Sequence, residues 1–158
     1  KDAGIKNFDA VNVAIQRYKR QIELPESTGK EIINLLKKSR LDIKTGVNVY
    51  IIKPETTKSL NESEYLHLIK GSNSTTIISD TKLEIDCIKK KEDVLEVKIV
   101  SPPEIEKNVG FMAFVCSALA EKGINIIETY SCFTDTIFIF EKKDLTKAVE
   151  TLQDIGIK

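Results

Sequence analysis

The chain has 158 residues, 41% of them hydrophobic, with 24 basic and 24 acidic side chains. That is enough for one ordinary domain or two small ones, and a formal net charge of zero argues against a wholesale polyanion binder. No apolar run approaches the ~20 residues of a membrane-spanning helix and no signal-peptide pattern opens the chain, so a cytoplasmic protein without a membrane partner is expected.

Ile5, Phe8, Val11, Ile15, Tyr18 and Ile22 recur at three- and four-residue steps and predict an amphipathic helix over 5–22. Arg17, Lys19 and Arg20 crowd its C-terminal end, where positive charge complements the helix dipole. The segment reads either as a packing helix or as part of a nucleic-acid-binding head. Residues 1–40 carry nine Lys/Arg against five Asp/Glu, and the remainder fifteen against nineteen, so the head is mildly basic and the body mildly acidic. Lys1 rather than Met opens the chain, and a trimmed upstream segment is expected. Pro25 interrupts the first pattern. Ser27 or Thr28 then caps a second predicted helix running to about Ser39, with Ile32, Leu35 and Leu36 as its buried face.

Residues 47–53 alternate, with Val47, Val49 and Ile51 on one side, and predict a strand that Pro54 ends. Leu60, Tyr65, Leu66 and Ile69 predict a short helix containing His67 and closed by Gly71. Residues 75–79 and 83–88 read as strands. The polar run Lys89-Lys90-Lys91-Glu92-Asp93 reads as a linker or a solvated hairpin.

Leu95, Val97 and Ile99 alternate with Glu96 and Lys98 in a strand over 94–100, which Pro102 and Pro103 stop. A helix over 111–122 turns Phe111, Val115, Ala118 and Leu119 inward and exits at Gly123. Residues 125–131 and 136–141 predict strands joined by a turn at 133–135. Asp144 caps a last helix in which Leu145, Ala148, Val149 and Leu152 form the buried stripe, and Gly156 ends it. The order β-α-β-β over 46–89 thus precedes β-α-β-β-α over 94–153. This is a repeat of element order, with negligible sequence identity between the halves.

The catalytic inventory is thin. His67 is the single histidine, and no nucleophile elbow or glycine-rich phosphate loop is present. Cys87, Cys116 and Cys132 lie far apart, which fits structural thiols in a reducing compartment and gives zinc no ligand set. No catalytic residue, cofactor or metal is expected. The better candidate is the loop before the helix at 111. A helix N-terminus offers unpartnered N–H groups and the positive end of the dipole, which suits a carboxylate. Gly110 removes a Cβ there. Asn108 and Asn125 either satisfy local backbone or offer their amides to an α-amino acid's head group.

The motif Asn108-Val109-Gly110-Phe111, followed by Gly123-Ile124-Asn125-Ile126 at the step into the next strand, resembles the ACT domain, a small amino-acid-sensing module. The whole chain is similar to stand-alone archaeal ACT proteins predicted to regulate amino-acid metabolism, and to aspartate kinase regulatory regions without the kinase. The likeness to the stand-alone group includes Phe8-Asp9-Ala10-Val11 and Ala14-Ile15-Gln16-Arg17-Tyr18, in a helical segment sometimes read as helix-turn-helix. The resemblance implies an α/β fold in the α+β sense. It would hold tandem ferredoxin-like βαββαβ units on antiparallel sheets, preceded by a short helical head. Residues 1–40 would be the head, 41–92 a first, degenerate unit without a glycine in its loop, and 93–158 the second unit.

Carried over by position, Asn108, Val109, Gly110, Phe111, Asn125 and Ile126 would contact an amino acid between paired units. The implied protein is a regulator rather than an enzyme. Its partners would be a small-molecule amino acid, a second copy in a homodimer and an enzyme of amino-acid metabolism. The alternative is a ligand-responsive transcription regulator whose N-terminal segment binds DNA.

Overall fold

The structure, a computed structural model, describes residues 26–158. The helix predicted over 5–22, and the DNA-binding reading built on it, lie outside the described residues. Helix α1 (Glu26–Leu36) leads into the long strand β1 (Arg40–Ile52), and β2 (His67–Lys70) pairs with β3 (Thr75–Ser79). Strand β4 (Lys89–Val100) is followed by helix α2 (Phe111–Glu121), the hairpin of β5 (Ile126–Cys132) and β6 (Asp135–Glu141), and helix α3 (Leu145–Asp154). All six strands join one antiparallel sheet in the order β2-β3-β1-β4-β6-β5. The run β4-α2-β5-β6-α3 has the ferredoxin-like arrangement, with β6 seated between β4 and β5. The mixed helix and antiparallel-sheet architecture matches the expected class.

The helices share one face of the sheet. Val97 and Ile99 of β4 and Phe138 and Phe140 of β6 pack against Phe111, Val115 and Leu119 of α2, Ala148 and Leu152 of α3, and Ile32 and Leu36 of α1. The two phenyl rings stack with centroids 5.9 Å apart. The inward residues of β4 are those its alternation predicted. Helix α2 ends as its sequence requires: the amide of Gly123 donates to Ala120 and that of Ile124 to Leu119, closing the last turn over a buried Ile124.

The opposite face carries no helix among the described residues, yet Val47, Val49, Ile78, Val94, Ile137 and Ile139 are buried there. The sheet achieves this by rolling. In a flat sheet the outer strands of six stand about 24 Å apart at ~4.8 Å per gap. Here the ring of His67 on β2 lies 5.0 Å from that of Tyr130 on β5, so the two edges meet. Strand twist and bulges supply the curvature. Gly46 sits at φ 71° where the β1–β4 register shifts between Lys44 and Val47. The extra residue lets Leu41 face the helix-covered core while Val47 and Val49 face the rolled interior. A side chain at Gly46 would meet the left-handed backbone penalty.

Three expectations are corrected. The helix predicted through Leu60, Tyr65, Leu66 and Ile69 is two 3-10 turns, Pro54–Ser59 and Glu62–Glu64, followed by strand β2, so His67 lies on a strand. The free edge of β3 outweighs the local periodicity: Leu66 donates to Ile78, and Leu60 and Tyr65 pack on Tyr50, Ile52 and Ile77. Gly71, expected to end that helix, instead opens the β2–β3 turn, its amide donating to Ser74. Residues 83–88 form no strand. Leu83, Ile85 and Cys87 alternate onto the same Tyr50 cluster, and only Ile88 reaches the ladder, donating to Ile51. The lysine run Lys89-Lys90-Lys91 is the start of β4, paired with the end of β1, rather than a linker.

Candidate functional site: the loop before helix α2

The link from β4 to α2 passes through a 3-10 turn, Pro103–Lys107, and reaches the helix at Gly110. Gly110 is the N-cap residue, at φ 87° and ψ 0°, and no side chain caps the helix. That backbone is left-handed, which glycine tolerates and a β-branched residue does not. Asn108 does not cap α2. Its backbone amide donates to Ile105, and its Oδ1 is buried without a hydrogen-bond partner.

A groove of about 460 Å³ opens beside this cap, lined by Ile105, Glu106, Asn108, Gly110 and the first turn of α2. Its other wall is the β5–β6 hairpin, through Ser131, Phe133 and Thr136. Phe133 is 64% exposed and holds φ 53°, a strained position for an aromatic residue. Together with Met112, 38% exposed, it gives the groove an apolar rim. The predicted turn lies where the sequence placed it. Its contribution to the site was missed because turn signals predict a bend, not what the bend faces. The one available cue was a phenylalanine in a turn position that usually takes Gly, Asn or Asp.

The structure brings Asn108, Gly110 and Phe111 together, with the Phe111 ring also buried in the core. Val109 stands out to solvent, 78% exposed. Asn125 and Ile126 lie elsewhere. They line a separate cleft of about 180 Å³ with Val49, Ile51 and the lysines at the start of β4. Strands β4 and β5 run in the same direction, so their starts lie at the end of the sheet opposite Gly110. One chain therefore holds the two halves of the expected contact set apart.

A β-α-β-β-α run with a glycine-opened first loop can be compared with known families on those elements. Residues 89–154 match the family model of the ACT domain. That is the resemblance the loop motif suggested, and it spans β4 to the end of α3. Solved structures agree on the fold. The aspartate kinase of Clostridium acetobutylicum superposes with a TM-score of 0.60 at 16% identity, over 73% of this chain and 34% of that one. This chain thus spans about a third of that enzyme. The regulatory subunit of aspartate kinase from Thermus thermophilus, in a ligand-free form, gives 0.57 at 13% identity over 73% of this chain and 95% of the subunit. The Thermus flavus regulatory subunit gives 0.58 at 14% identity, over 77% and 98%. No curated protein sequence matches the chain.

Outside the ACT loop, ionisable groups cluster on the rolled face. Glu96 of β4 is buried, and its Oε2 lies 3.1 Å from Nε2 of His67. An ionised carboxylate can only accept, so the imidazole donates. The Tyr130 hydroxyl is buried with no hydrogen-bond partner. Burial, and then the nearby Glu96 charge, push its pKa well above the usual phenol range. At the sheet's other end Glu141 accepts from Lys91 and Lys143, each at 2.6 Å, which hold its pKa down at about 2. Burial raises the Cys116 thiol, which keeps it protonated and unreactive. No group of metal-ligating side chains and no helix long and apolar enough to cross a membrane occurs among the described residues.

Proposed function

We propose that this chain is a regulatory amino-acid-binding protein of amino-acid metabolism, acting on a partner enzyme rather than catalysing a reaction. The observation that carries the reading is the ACT match over residues 89–154, whose first loop opens the groove at Gly110. An α-amino acid suits that groove. Its carboxylate would meet the uncapped N–H groups of α2, its ammonium the unpartnered Oδ1 of Asn108, and its side chain the rim of Met112 and Phe133. Asn125 and Ile126 join the contact set only from a second copy, because within one chain they lie at the far end of the sheet. A homodimer follows, with ligand at the interface shifting an equilibrium between two states of different affinity. Free cysteines at Cys87, Cys116 and Cys132 fit a cytoplasmic setting.

The test is a thermal-shift screen of the protein against the twenty amino acids. A ligand at a hundred times its Kd should stabilise the native state by about 2.7 kcal/mol. Gly110→Val should abolish the ligand-dependent shift, measured against the variant's own melting temperature. No shift with any amino acid at millimolar concentration would defeat the proposal.

A further inference from the structure

Among the described residues the large apolar side chains left exposed are Ile33, Ile43, Ile88, Val109, Met112 and Phe133. Apolar residues scattered singly over a surface need no explanation, whereas a contiguous patch marks an interaction surface. Met112 and Phe133 stand on opposite walls of the Gly110 groove, which Ile105 and Ala113 also line, and Val109 precedes its capping glycine. Phe133, 64% exposed at φ 53°, holds an aromatic ring out in water at a turn position that suits Asn or Gly. Glu106 is the only charged residue lining the groove, and it forms no ion pair among the described residues.

Residues 1–25 precede the described structure and have the chemistry to cover this rim. Their predicted helix over 5–22 carries the stripe of Ile5, Phe8, Val11, Ile15, Tyr18 and Ile22. In proteins such a helix draws its stability from packing its apolar face, so the stripe needs a surface. The segment holds five Lys/Arg against three Asp/Glu, with Arg17, Lys19 and Arg20 near its end. That end is where the chain enters α1 at Glu26. About 7.5 Å further along the helix, Glu31 lines a hollow whose other wall is Glu104, Lys107 and Asn108. Asn108 in turn lines the Gly110 groove. The basic end is thus anchored near the turn that carries Glu106, and a helix over 5–22, about 27 Å long, can reach across the groove mouth.

We infer that residues 5–22 dock on the rim of the Gly110 groove, with their apolar stripe on Val109, Met112 and Phe133 and their basic end toward Glu106. The docking is intramolecular and requires no ligand in the groove.

The chain contains no tryptophan, so Phe8→Trp places a single fluorescent reporter in the stripe of the 158-residue protein. Its emission in the folded protein is expected to lie to the blue of that in urea and to be the same at every protein concentration. Met112→Lys and Phe133→Asn should each shift it back toward the urea value while the circular dichroism stays native. Asparagine suits the left-handed turn, so Phe133→Asn keeps the test open even if Met112→Lys fails to fold. Ile88→Asn, at a comparably exposed apolar residue outside the groove, should leave the emission unchanged. The inference is overturned if the reporter emits as in urea, if neither rim variant moves it, or if Ile88→Asn moves it as far. Emission that changes with protein concentration would place the segment on a second copy and equally overturn it. So would a steeply salt-dependent shift on adding double-stranded DNA with no response to the rim variants, which would assign the segment to DNA.

Discussion

Tyr130→Phe removes one oxygen atom from the rolled face and should make the protein more stable. The hydroxyl is buried and makes no hydrogen bond, while the ring packs beside Ile137 and Ile139 and against the His67 imidazole. Phenylalanine keeps the ring and its contacts. An unpartnered buried donor costs about 1–3 kcal/mol in lost solvation. Tyr130 is half-buried and its hydroxyl lies near Glu96, so a gain near the lower end, about 1 kcal/mol, is expected. For a protein of this size that raises the melting temperature by about 2–4 °C. Urea unfolding followed by circular dichroism is the assay: the midpoint should rise with the slope unchanged. The competing view, a hydroxyl that donates to Glu96, gives the opposite sign, a loss of about 0.5–1.5 kcal/mol or more. A midpoint lower in Tyr130→Phe than in the parent would refute the reasoning.

The depressed pKa of Glu141 makes a pH prediction. A carboxylate with a lower pKa folded than unfolded adds stability that is present above its unfolded value and is lost as pH falls toward about 2. Glu141→Gln should therefore flatten the pH dependence of the melting temperature between the ordinary carboxylate range and about pH 2, leaving the profile above that range unchanged in shape. Phe138→Ala, at the fully buried centre of the helix-covered core and stacked on Phe140, should cost about 3–5 kcal/mol in equilibrium denaturation, because large-to-small changes leave a cavity. A loss below 1 kcal/mol would show that the core collapses freely around that position.

What could be read in the sequence followed the strength of the local signal. The second half carries clean periods and strong stops. Val97 and Ile99, Phe111, Val115 and Leu119, and Ala148 and Leu152 all reach the core face assigned to them. The first half misled because its hydrophobic residues answer to distant partners. Leu60 and Tyr65 are spaced as on a helix, yet they serve the Tyr50 cluster, while Leu66 pairs with Ile78 on β3. The lysine run looked like a solvated joint because strand pairing leaves no mark on composition. The ACT loop was legible through Gly110, whose left-handed cap demands glycine. The contact of His67 with Glu96 was not. His67 and Glu96 are 29 residues apart and meet only because the sheet rolls, which no local pattern encodes.

The rolled sheet also bears on the proposed division into units at 41–92 and 93–158. A ferredoxin-like unit seats a fourth strand beside its first. Here β1 takes that seat against β4, from Arg40 opposite Val100 to Ile51 opposite Lys89. The end of the chain contributes only Ile157, buried under the helices, and Lys158, which bonds to Ser39 and Leu41 beside the start of β1. A single strand therefore serves three clusters: Leu41 under the helices, Val47 and Val49 in the rolled interior, and Tyr50 and Ile52 under the loops. The boundary expected between residues 92 and 93 falls inside β4, and the strands on either side of it belong to one hydrogen-bonded sheet.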